Sequence, residues 1–247
     1  MIYRGRTKDI VFEFSPSTGE IKGVIILCEG LPAVPKQKEL ISFLSSRNYF
    51  IVYPRYKGTW ESNGKFLSES PVNDLEEIMN LLKKREITEL YSNKTFSIDT
   101  DNIIIIGSSL GGSIALSCSK NNLASKIVVF SPIVNFSAHN DKNQEQDLIW
   151  LEKFVRKAFG MGYRDKREDW VNMTKGLIFN PPQEIEKDRA KDILVIFGKQ
   201  DTEIDFKKIE NYTEKNKIET ICLKDEGHLS FSKISQEIWD KVFDWLK

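Results

Sequence analysis

Apolar residues along this chain alternate between short unbroken runs and longer runs with helical spacing. The short runs are typical of strands buried on both faces, and they are "DIVFEF", "GVIILCEG", "YFIVYPRY", "DNIIIIG", "KIVVFSP", "DILVIFG" and "IETICL". Helical spacing appears between them, as in "SPVNDLEEIMNLLKK", where Leu75, Ile78 and Leu82 fall on one face. This alternation predicts an α/β fold with a mostly parallel central sheet and helices on both faces.

One long stretch interrupts the alternation. Residues 137–190 separate two predicted strands by far more chain than a simple connection needs. The segment "DLIWLEKFVRKAFG" within it has one apolar helical stripe, which consists of Leu148, Leu151, Val155 and Ala158, with Trp150 and Phe154 beside it. Gly160 then predicts the end of that helix. We therefore expect a single domain over residues 1–247 with a helical cap inserted at about residues 137–190.

Charge and composition narrow the class of protein. The 36 basic residues balance 36 acidic ones, so the net charge of zero gives no support for a nucleic-acid or acidic-membrane partner. The first residues lack the apolar core of a secretory signal, and no apolar run approaches membrane-spanning length. Three widely spaced cysteines argue against a disulfide framework and against a zinc cluster. We expect a cytoplasmic protein without a metal or another cofactor.

A serine stands between the most strand-like run and a predicted helix. The sequence Gly107-Ser108-Ser109-Leu110-Gly111 fits the pattern G-x-S-x-G. A nucleophile at the apex of a tight strand-to-helix turn needs small residues two positions before and after it, because strand and helix approach closely there. The turn also directs the next backbone amide and the start of the helix at a developing oxyanion. Ser109 is therefore the candidate nucleophile.

Two further reactive residues follow late strands. Asp201 lies just beyond "DILVIFG", and His228 lies just beyond "IETICL". The order Ser109, Asp201, His228 is a known chain order for a nucleophile, an acid and a histidine. The carboxyl ends of parallel strands meet at one edge of a sheet, so the three side chains are expected to converge there.

The alternatives for these roles are few. Glu203 and Asp205 compete with Asp201 for the acid, which is favoured because it is closest to the end of the strand. His139 is the only other histidine, and its polar surroundings "SAHNDKN" predict an exposed side chain.

The motifs "GSSLGG", "GKQD" and "EGH", together with the order of elements, resemble the α/β-hydrolase superfamily over nearly the whole chain. The resemblance implies that Ser109 is the nucleophile, Asp201 the acid and His228 the base. It also implies an oxyanion hole formed by the backbone amides of Leu110 and of Leu31, which follows "VIILCEG".

The oxyanion loop departs from the family pattern. Glu29-Gly30 stands where many such hydrolases have His-Gly. A carboxylate near a developing oxyanion is unfavourable unless it is paired or turned away. Glu29 is therefore expected either in an ion-paired or hydrogen-bonded structural role, or as the residue that receives a substrate ammonium group.

The segment "YPRYKGTWESNGKF" resembles the arginine loop of prolyl oligopeptidase-like and X-Pro dipeptidyl hydrolases. The match is imperfect, because Tyr56 and Lys57 separate Arg55 from Gly58. Trp60 in this loop is a candidate substrate contact, although a packing role is the simpler expectation. Trp150 in the insertion is another, since an aromatic amphipathic helix favours an apolar part of a substrate.

Three functions remain open. A serine hydrolase that forms an acyl-enzyme comes first, most simply a carboxylesterase for small or medium esters. A peptidase for short peptides is the second, supported by the arginine loop and Glu29. A non-catalytic binding protein on the same fold is the third, since fold alone does not determine function. An acyltransferase and any oligomeric state are equally compatible with the sequence.

Overall fold

The computed structural model describes residues 1–139 and 148–247, without the side chains of residues 138, 139 and 149. Its strands are β1 (Tyr3–Thr7), β2 (Ile10–Ser15), β3 (Gly23–Cys28), β4 (Tyr49–Pro54), β5 (Glu86–Thr88), β6 (Thr95–Ser97), β7 (Ile103–Ser108), β8 (Lys126–Phe130), β9 (Ile193–Gly198) and β10 (Glu219–Leu223). Its α-helices are α1 (Lys38–Ser46), α2 (Val72–Leu82), α3 (Leu110–Ser117), α4 (Phe136–His139), α5 (Leu148–Phe159), α6 (Arg167–Thr174), α7 (Lys187–Ala190), α8 (Phe206–Asn216) and α9 (Gln236–Leu246).

Eight of these strands form one sheet in the order β1-β2-β4-β3-β7-β8-β9-β10. β2 pairs antiparallel with β1 and β4, and all other neighbours in the sheet are parallel. The loops after β3, β7, β9 and β10 therefore leave the sheet at the same edge, where sites in open α/β sheets are found. The apolar pattern does not predict β1 or the separate hairpin of β5 and β6, which are short and rich in polar residues.

Both faces of the sheet are covered, as the unbroken apolar runs predict. In β7, Ile103 and Ile105 join a core with α2, α3 and α8, whereas Ile104 and Ile106 join a core with α1 and α9. Every residue of β7 is buried, and its four isoleucines face these two apolar cores, while Ser108 at its end is its one polar side chain. The predicted mostly parallel α/β sheet with helices on both faces is confirmed.

The connection between β8 and β9 carries α4, α5, α6 and α7 in its described part. The predicted stripe on α5 is correct at Leu148, Leu151 and Val155, which are buried. It is wrong at Ala158, which is exposed, because in the last turn of the helix Phe159 packs against the core instead. Gly160 follows the helix with a φ of 48°. Residues 140–147 lie outside the described part of the chain, and the division into one domain with a cap stays a prediction.

The residues after α5 are fastened to the loop that follows β4. The amide of Trp60 donates to the carbonyl of Gly162, and the amide of Arg164 donates to the carbonyl of Gly58, each at 2.8 Å. The amide of Phe66 in turn donates to the carbonyl of Arg164 at 2.8 Å. These backbone hydrogen bonds place the segment of the insertion that follows α5 against a loop at the carboxyl edge of the sheet. No helix among the described residues is both long enough and apolar enough to cross a membrane.

Candidate active site

Ser109 occupies the turn between β7 and α3. Its φ of 52° and ψ of −122° lie in a region that costs an L-residue about 1–3 kcal/mol, so the surrounding structure must impose it. The Ser109 amide donates to the carbonyl of Phe130 at 2.8 Å, and its own carbonyl accepts from the amide of Ser113 at 3.1 Å. The serine is thus held at the apex of a strained strand-to-helix turn, half-buried at the carboxyl edge of the sheet.

Close backbone contacts explain the glycines around this turn. A Cβ atom at Gly107 would collide with the backbone of Gly111, and a Cβ at Gly111 would collide with the carbonyl of Cys28. A Cβ at Gly30 would lie 3.0 Å from the Cβ of Ser109, which places the loop after β3 directly against the serine. The G-x-S-x-G spacing therefore reflects a steric requirement of this structure.

Asp201 and His228 lie together beyond β9 and β10. Nδ1 of His228 is 2.9 Å from Oδ2 of Asp201, and both side chains are almost fully buried. Oδ1 of Asp201 accepts from the amides of Glu203 and Ile204, each at 2.9 Å. Burial opposes ionisation, yet the hydrogen bond and charge of His228 and the two amides hold the pKa of Asp201 below its usual value. An ionised Asp201 can fix the orientation of the imidazole.

The end of β8 brings the serine turn and the histidine loop close to each other. Phe130 accepts the hydrogen bond from the Ser109 amide, and the next residue, Ser131, accepts one through Oγ from the Leu229 amide at 3.2 Å. Leu229 directly follows His228. Ser109 and His228 are therefore anchored through adjacent residues of one strand end.

The second imidazole nitrogen faces another carboxylate. Nε2 of His228 lies 3.5 Å from Oε2 of Glu203, and no hydrogen bond joins it to the Ser109 hydroxyl in the described part of the chain. Asp205, the third acidic candidate, instead accepts the Lys207 amide at 3.0 Å at the start of α8. The geometry thus brings Asp201 and Glu203, but not Asp205, to the imidazole.

The two residues predicted to form an oxyanion hole belong to the two segments that meet at Ser109. Leu110 is the first residue of α3, so its amide belongs to the helix N-terminus that the turn presents. Leu31 follows Gly30 in the loop that packs against the serine, and it is half-buried.

Glu29 is hydrogen-bonded within the protein. Its Oε2 accepts from Nε2 of Gln37 at 2.6 Å and from the hydroxyl of Tyr53 at 2.9 Å. Burial raises the pKa of Glu29, while these two donors and the Gly30 amide oppose part of that rise. The carboxylate connects the end of β3 with β4 and with the residue before α1, which is the hydrogen-bonded role that the sequence leaves as one alternative.

Two tyrosines that the sequence analysis missed also hold this loop. The hydroxyl of Tyr56 donates to the carbonyl of Glu29 at 3.2 Å. The hydroxyl of Tyr163, from the residues after α5, accepts from the Ala33 amide at 3.2 Å and donates to the Ala33 carbonyl at 3.0 Å. In the sequence, both tyrosines are marked only by nearby glycines. That pattern does not show which distant residue each hydroxyl contacts.

The two candidate tryptophans have different environments. Trp60 is half-buried and packs edge-on against Phe159 and Tyr163, with ring centroids 6.0 Å apart in each case. Trp150 is 53% exposed and stacks on Phe154 at 5.5 Å. The structure thus places Trp60 in a packed cluster and Trp150 on an open apolar surface of the insertion.

A cavity of about 600 Å³ opens beside the loop after β3. It lies between that loop, α1 and the residues that follow His228, and its wall includes Glu29, Ala33, Phe43, Phe231 and Trp239. The lining of this cavity is mixed, because charged and polar side chains such as Lys36 and Gln37 lie beside the apolar ones. Among the described residues, its wall does not include Ser109, Asp201 or His228.

Two further expectations concern histidine and metal chemistry. The side chain of His139 lies outside the described residues, so its predicted exposure stays a prediction. Within the described residues, no group of three or more His, Cys, Asp or Glu side chains is arranged to hold a metal ion.

Comparison with known proteins matches residues 76–243 to the uncharacterised protein family UPF0227. This match covers about two thirds of the chain and includes Ser109, Asp201 and His228, but it leaves out the loop after β3. No curated protein matches the sequence significantly.

Solved structures resemble the whole chain. An esterase of Pyrococcus furiosus superposes with a TM-score of 0.65 at 17% identity, covering 100% of this chain and 89% of that one. The α/β hydrolase GrgF of a Penicillium species gives a TM-score of 0.71 at 13% identity, covering 100% and 97%. An acylaminoacyl peptidase of Pyrococcus horikoshii gives 0.63 at 16% identity, covering 99% of this chain but 40% of that one. At these identities the likeness establishes the α/β-hydrolase fold.

Proposed function

The chain belongs to the uncharacterised protein family UPF0227 and has the α/β-hydrolase fold, and from this premise we propose that it is a serine hydrolase. Ser109 is the nucleophile, His228 the general base and Asp201 the residue that orients the imidazole. The single observation that carries the proposal is the strained backbone of Ser109, held in place by glycines whose replacement would cause collisions. Backbone strain at a serine beside an acid–histidine pair is typical of a nucleophile and is costly in a turn without chemistry.

The reaction proceeds through an acyl-enzyme. Oγ of Ser109 attacks the carbonyl carbon of the substrate while Nε2 of His228 takes the hydroxyl proton. The Leu110 and Leu31 amides stabilise the negative charge on the carbonyl oxygen, and the imidazolium returns the proton to the leaving alcohol as the C–O bond breaks. Water then attacks the acyl-enzyme in the same way, which releases the acid and restores Ser109.

The imidazole must turn from Glu203 towards Ser109 for this step. Nε2 lies 3.5 Å from the Glu203 carboxylate, a separation too long for a strong hydrogen bond. Catalytic hydrogen bonds are often long without substrate and tighten in the Michaelis complex. In the proposed step the ring keeps its Nδ1 contact with Asp201 while Nε2 moves from Glu203 to the serine hydroxyl.

We assign esters with an apolar portion as the substrate class. The open Trp150–Phe154 surface of the insertion suits such a group. The resulting activity is that of a carboxylesterase on small or medium esters, in a cytoplasmic protein that needs no cofactor.

A short-peptide peptidase is the second candidate. The similarity to an acylaminoacyl peptidase and the arginine-loop segment support it. Glu29 supports it less, because its Oε2 already accepts two hydrogen bonds within the protein. A panel of esters of increasing chain length and of aminoacyl-arylamides separates the two candidates, since a peptidase hydrolyses the amides at rates comparable with the esters.

Labelling with a fluorophosphonate probe tests the proposal against a non-catalytic binding protein. Oγ of Ser109 attacks phosphorus and displaces fluoride, so the wild type is expected to become labelled and Ser109→Ala to stay unlabelled. Ser108→Ala is the matched control, because Ser108 is the neighbouring buried serine at the end of β7. Ester turnover should fall by about 10³-fold or more in Ser109→Ala alone. If the folded wild type remains unlabelled and hydrolyses nothing in the panel, the hydrolase is refuted and a non-catalytic binding function remains.

A further inference from the structure

The loop after β3 reaches the serine turn at Gly30 and has no regular secondary structure before α1. Its first residue, Glu29, is held by Tyr53 and Tyr56, and its last, Gln37, is held by Glu29. Leu31 lies between these two fixed ends. The position of its amide therefore depends on what holds the middle of the loop.

Tyr163 is the residue that holds the middle. Its hydroxyl makes two hydrogen bonds to one residue, because it accepts from the Ala33 amide at 3.2 Å and donates to the Ala33 carbonyl at 3.0 Å. Both backbone groups of Ala33 are thus satisfied by a single side chain from a segment 130 residues away. Tyr163 is 5% exposed, and burial raises the pKa of its hydroxyl to about 12, so it remains a donor at neutral pH.

Tyr163 is itself rigidly supported. Its ring packs edge-on against Trp60 at 6.0 Å and against Phe66 at 5.5 Å. The neighbouring Arg164 guanidinium donates to the carbonyls of Trp60 and Met161 at 3.0 and 3.1 Å, and also to the carbonyl of Ser62. Since the loop after β4 is fixed to this segment through its backbone as well, the hydroxyl presents a fixed point to Ala33.

The support continues outwards along the insertion. Phe159 lies 5.9 Å from the Tyr163 ring and 6.3 Å from Phe154, which stacks on the exposed Trp150. A row of aromatic side chains therefore runs from the surface that we assign to the apolar part of the substrate to the hydroxyl that holds Ala33.

We propose that Tyr163 is a positioning residue that holds Ala33, and through it the Leu31 amide, in the geometry needed to stabilise the oxyanion. This inference rests on the proposed function and deepens it, because it makes the segment of the insertion that follows α5 a part of the catalytic machinery. Tyr163 does not touch the reacting atoms. Its hydroxyl should stabilise the transition state but not the bound substrate, because the oxyanion forms only in the transition state.

Tyr163→Phe tests this inference, because it keeps the ring and removes only the hydroxyl. Loss of an oxyanion donor typically lowers kcat by about 10²–10³-fold, so misplacing one without removing it should lower kcat by about tenfold. KM for the ester should stay within about twofold, since ground-state binding does not use the oxyanion. Affinity for an alkyl boronic acid, which forms a tetrahedral adduct with the serine, should fall by the same factor as kcat.

Tyr212→Phe is the matched control for a purely structural effect. Tyr212 is also a buried tyrosine, 6% exposed, and its hydroxyl donates to one backbone carbonyl, that of Pro182, at 2.8 Å. Both variants are compared at a temperature well below both thermal midpoints. We expect similar losses of thermal stability in the two variants but a loss of kcat and of boronate affinity only in Tyr163→Phe.

Two results would overturn the inference while leaving the proposed hydrolase intact. One is a Tyr163→Phe enzyme with wild-type kcat and boronate affinity. The other is an equal loss of kcat in Tyr163→Phe and Tyr212→Phe, which would make the hydroxyl a structural contact. A wild type that neither reacts with the fluorophosphonate nor hydrolyses any ester would instead refute the hydrolase itself.

Discussion

The serine turn and the loop after β3 face each other across the candidate site, yet they are held in different ways. The serine turn is fixed by backbone packed against backbone, which requires the glycines at 107 and 111. The loop after β3 is fixed by side-chain hydrogen bonds, which come from tyrosine hydroxyls of β4 and of the insertion and from the loop's own carboxylate–amide pair, Glu29 and Gln37. The first region tolerates no added atom, whereas the second should lose function in small steps as single hydrogen bonds are removed.

The acid–histidine pair is also held by side-chain hydrogen bonds, and its disruption should give the largest loss of activity. Asp201→Asn keeps the shape of the side chain but no longer fixes the proton on Nδ1 of His228. We expect kcat to fall by about 10³–10⁴-fold, as measured with an ester substrate. Glu203→Gln is the matched control, and it should change kcat by less than about fivefold because a partly exposed pair contributes at most about 1 kcal/mol. The opposite ranking of the two variants would assign the acid role to Glu203.

Adding one methyl group to the serine turn gives the next largest effect. Gly111→Ala forces a Cβ into the carbonyl of Cys28, so strand or helix must shift, and we expect a loss of about 3 kcal/mol or more in the free energy of unfolding. Gly112→Ala, one residue further along α3, meets its nearest atom, Cβ of Pro132, at 3.2 Å and should cost clearly less. Urea unfolding of both variants measures the difference. Equal stabilities would mean that the turn is not fixed by steric crowding.

The stability of a region that is held by buried titratable side chains should also depend on pH, whereas the stability of a region that is held by backbone contacts should not. Asp74 in α2 accepts the Lys57 amide at 2.7 Å and so anchors the start of the loop after β4. Burial raises the pKa of Asp74 to about 7. Between about pH 4 and this value the folded protein retains a proton that the unfolded chain has lost, so stability decreases as pH rises through that window.

Asp74→Asn is always neutral and should remove this slope, which we expect to amount to about 1–3 kcal/mol across the window. Urea unfolding at a series of pH values for wild type and variant measures it. If the free energy of unfolding depends on pH in the same way in wild type and variant, the pKa of Asp74 is not raised in the folded protein. The start of the loop after β4 would then not depend on a buried, protonated carboxyl group.

The sequence predicts the serine turn because its serine and both required glycines lie within five residues, although the contact that requires Gly111 is with the distant Cys28. The same holds for the central strands, whose two buried faces leave unbroken apolar runs such as "IIIIG". The edge strand β1 and the β5–β6 hairpin carry polar residues and are only three to five residues long, so no apolar periodicity marks them. The error at Ala158 has a different cause, since periodicity does not show that the neighbouring Phe159 takes the place against the core in the last turn of the helix.

The loop after β3 could be predicted only in part. Its position and the Leu31 amide follow from the resemblance to hydrolases, but the role of Glu29 required knowledge of Gln37 and Tyr53 as partners. The contact of Tyr163 with Ala33 joins residues 130 positions apart, and nothing local in either segment points to the other. The orientation of Nε2 of His228 depends on a side-chain rotamer and is likewise invisible in the sequence.

The backbone pairing between the loop after β4 and the segment of the insertion that follows α5 has a consequence for protein engineering and for the evolution of this family. The bridges of Thr59 with Tyr163 and of Phe66 with Asp165 make these two distant stretches a single structural unit. A chimera that grafts a foreign insertion between β8 and β9 would inherit the sheet but lose the partner of Ala33. Recombination among relatives should therefore succeed only where both stretches are exchanged together. Selectivity for a new substrate and the rate of its turnover would then change together.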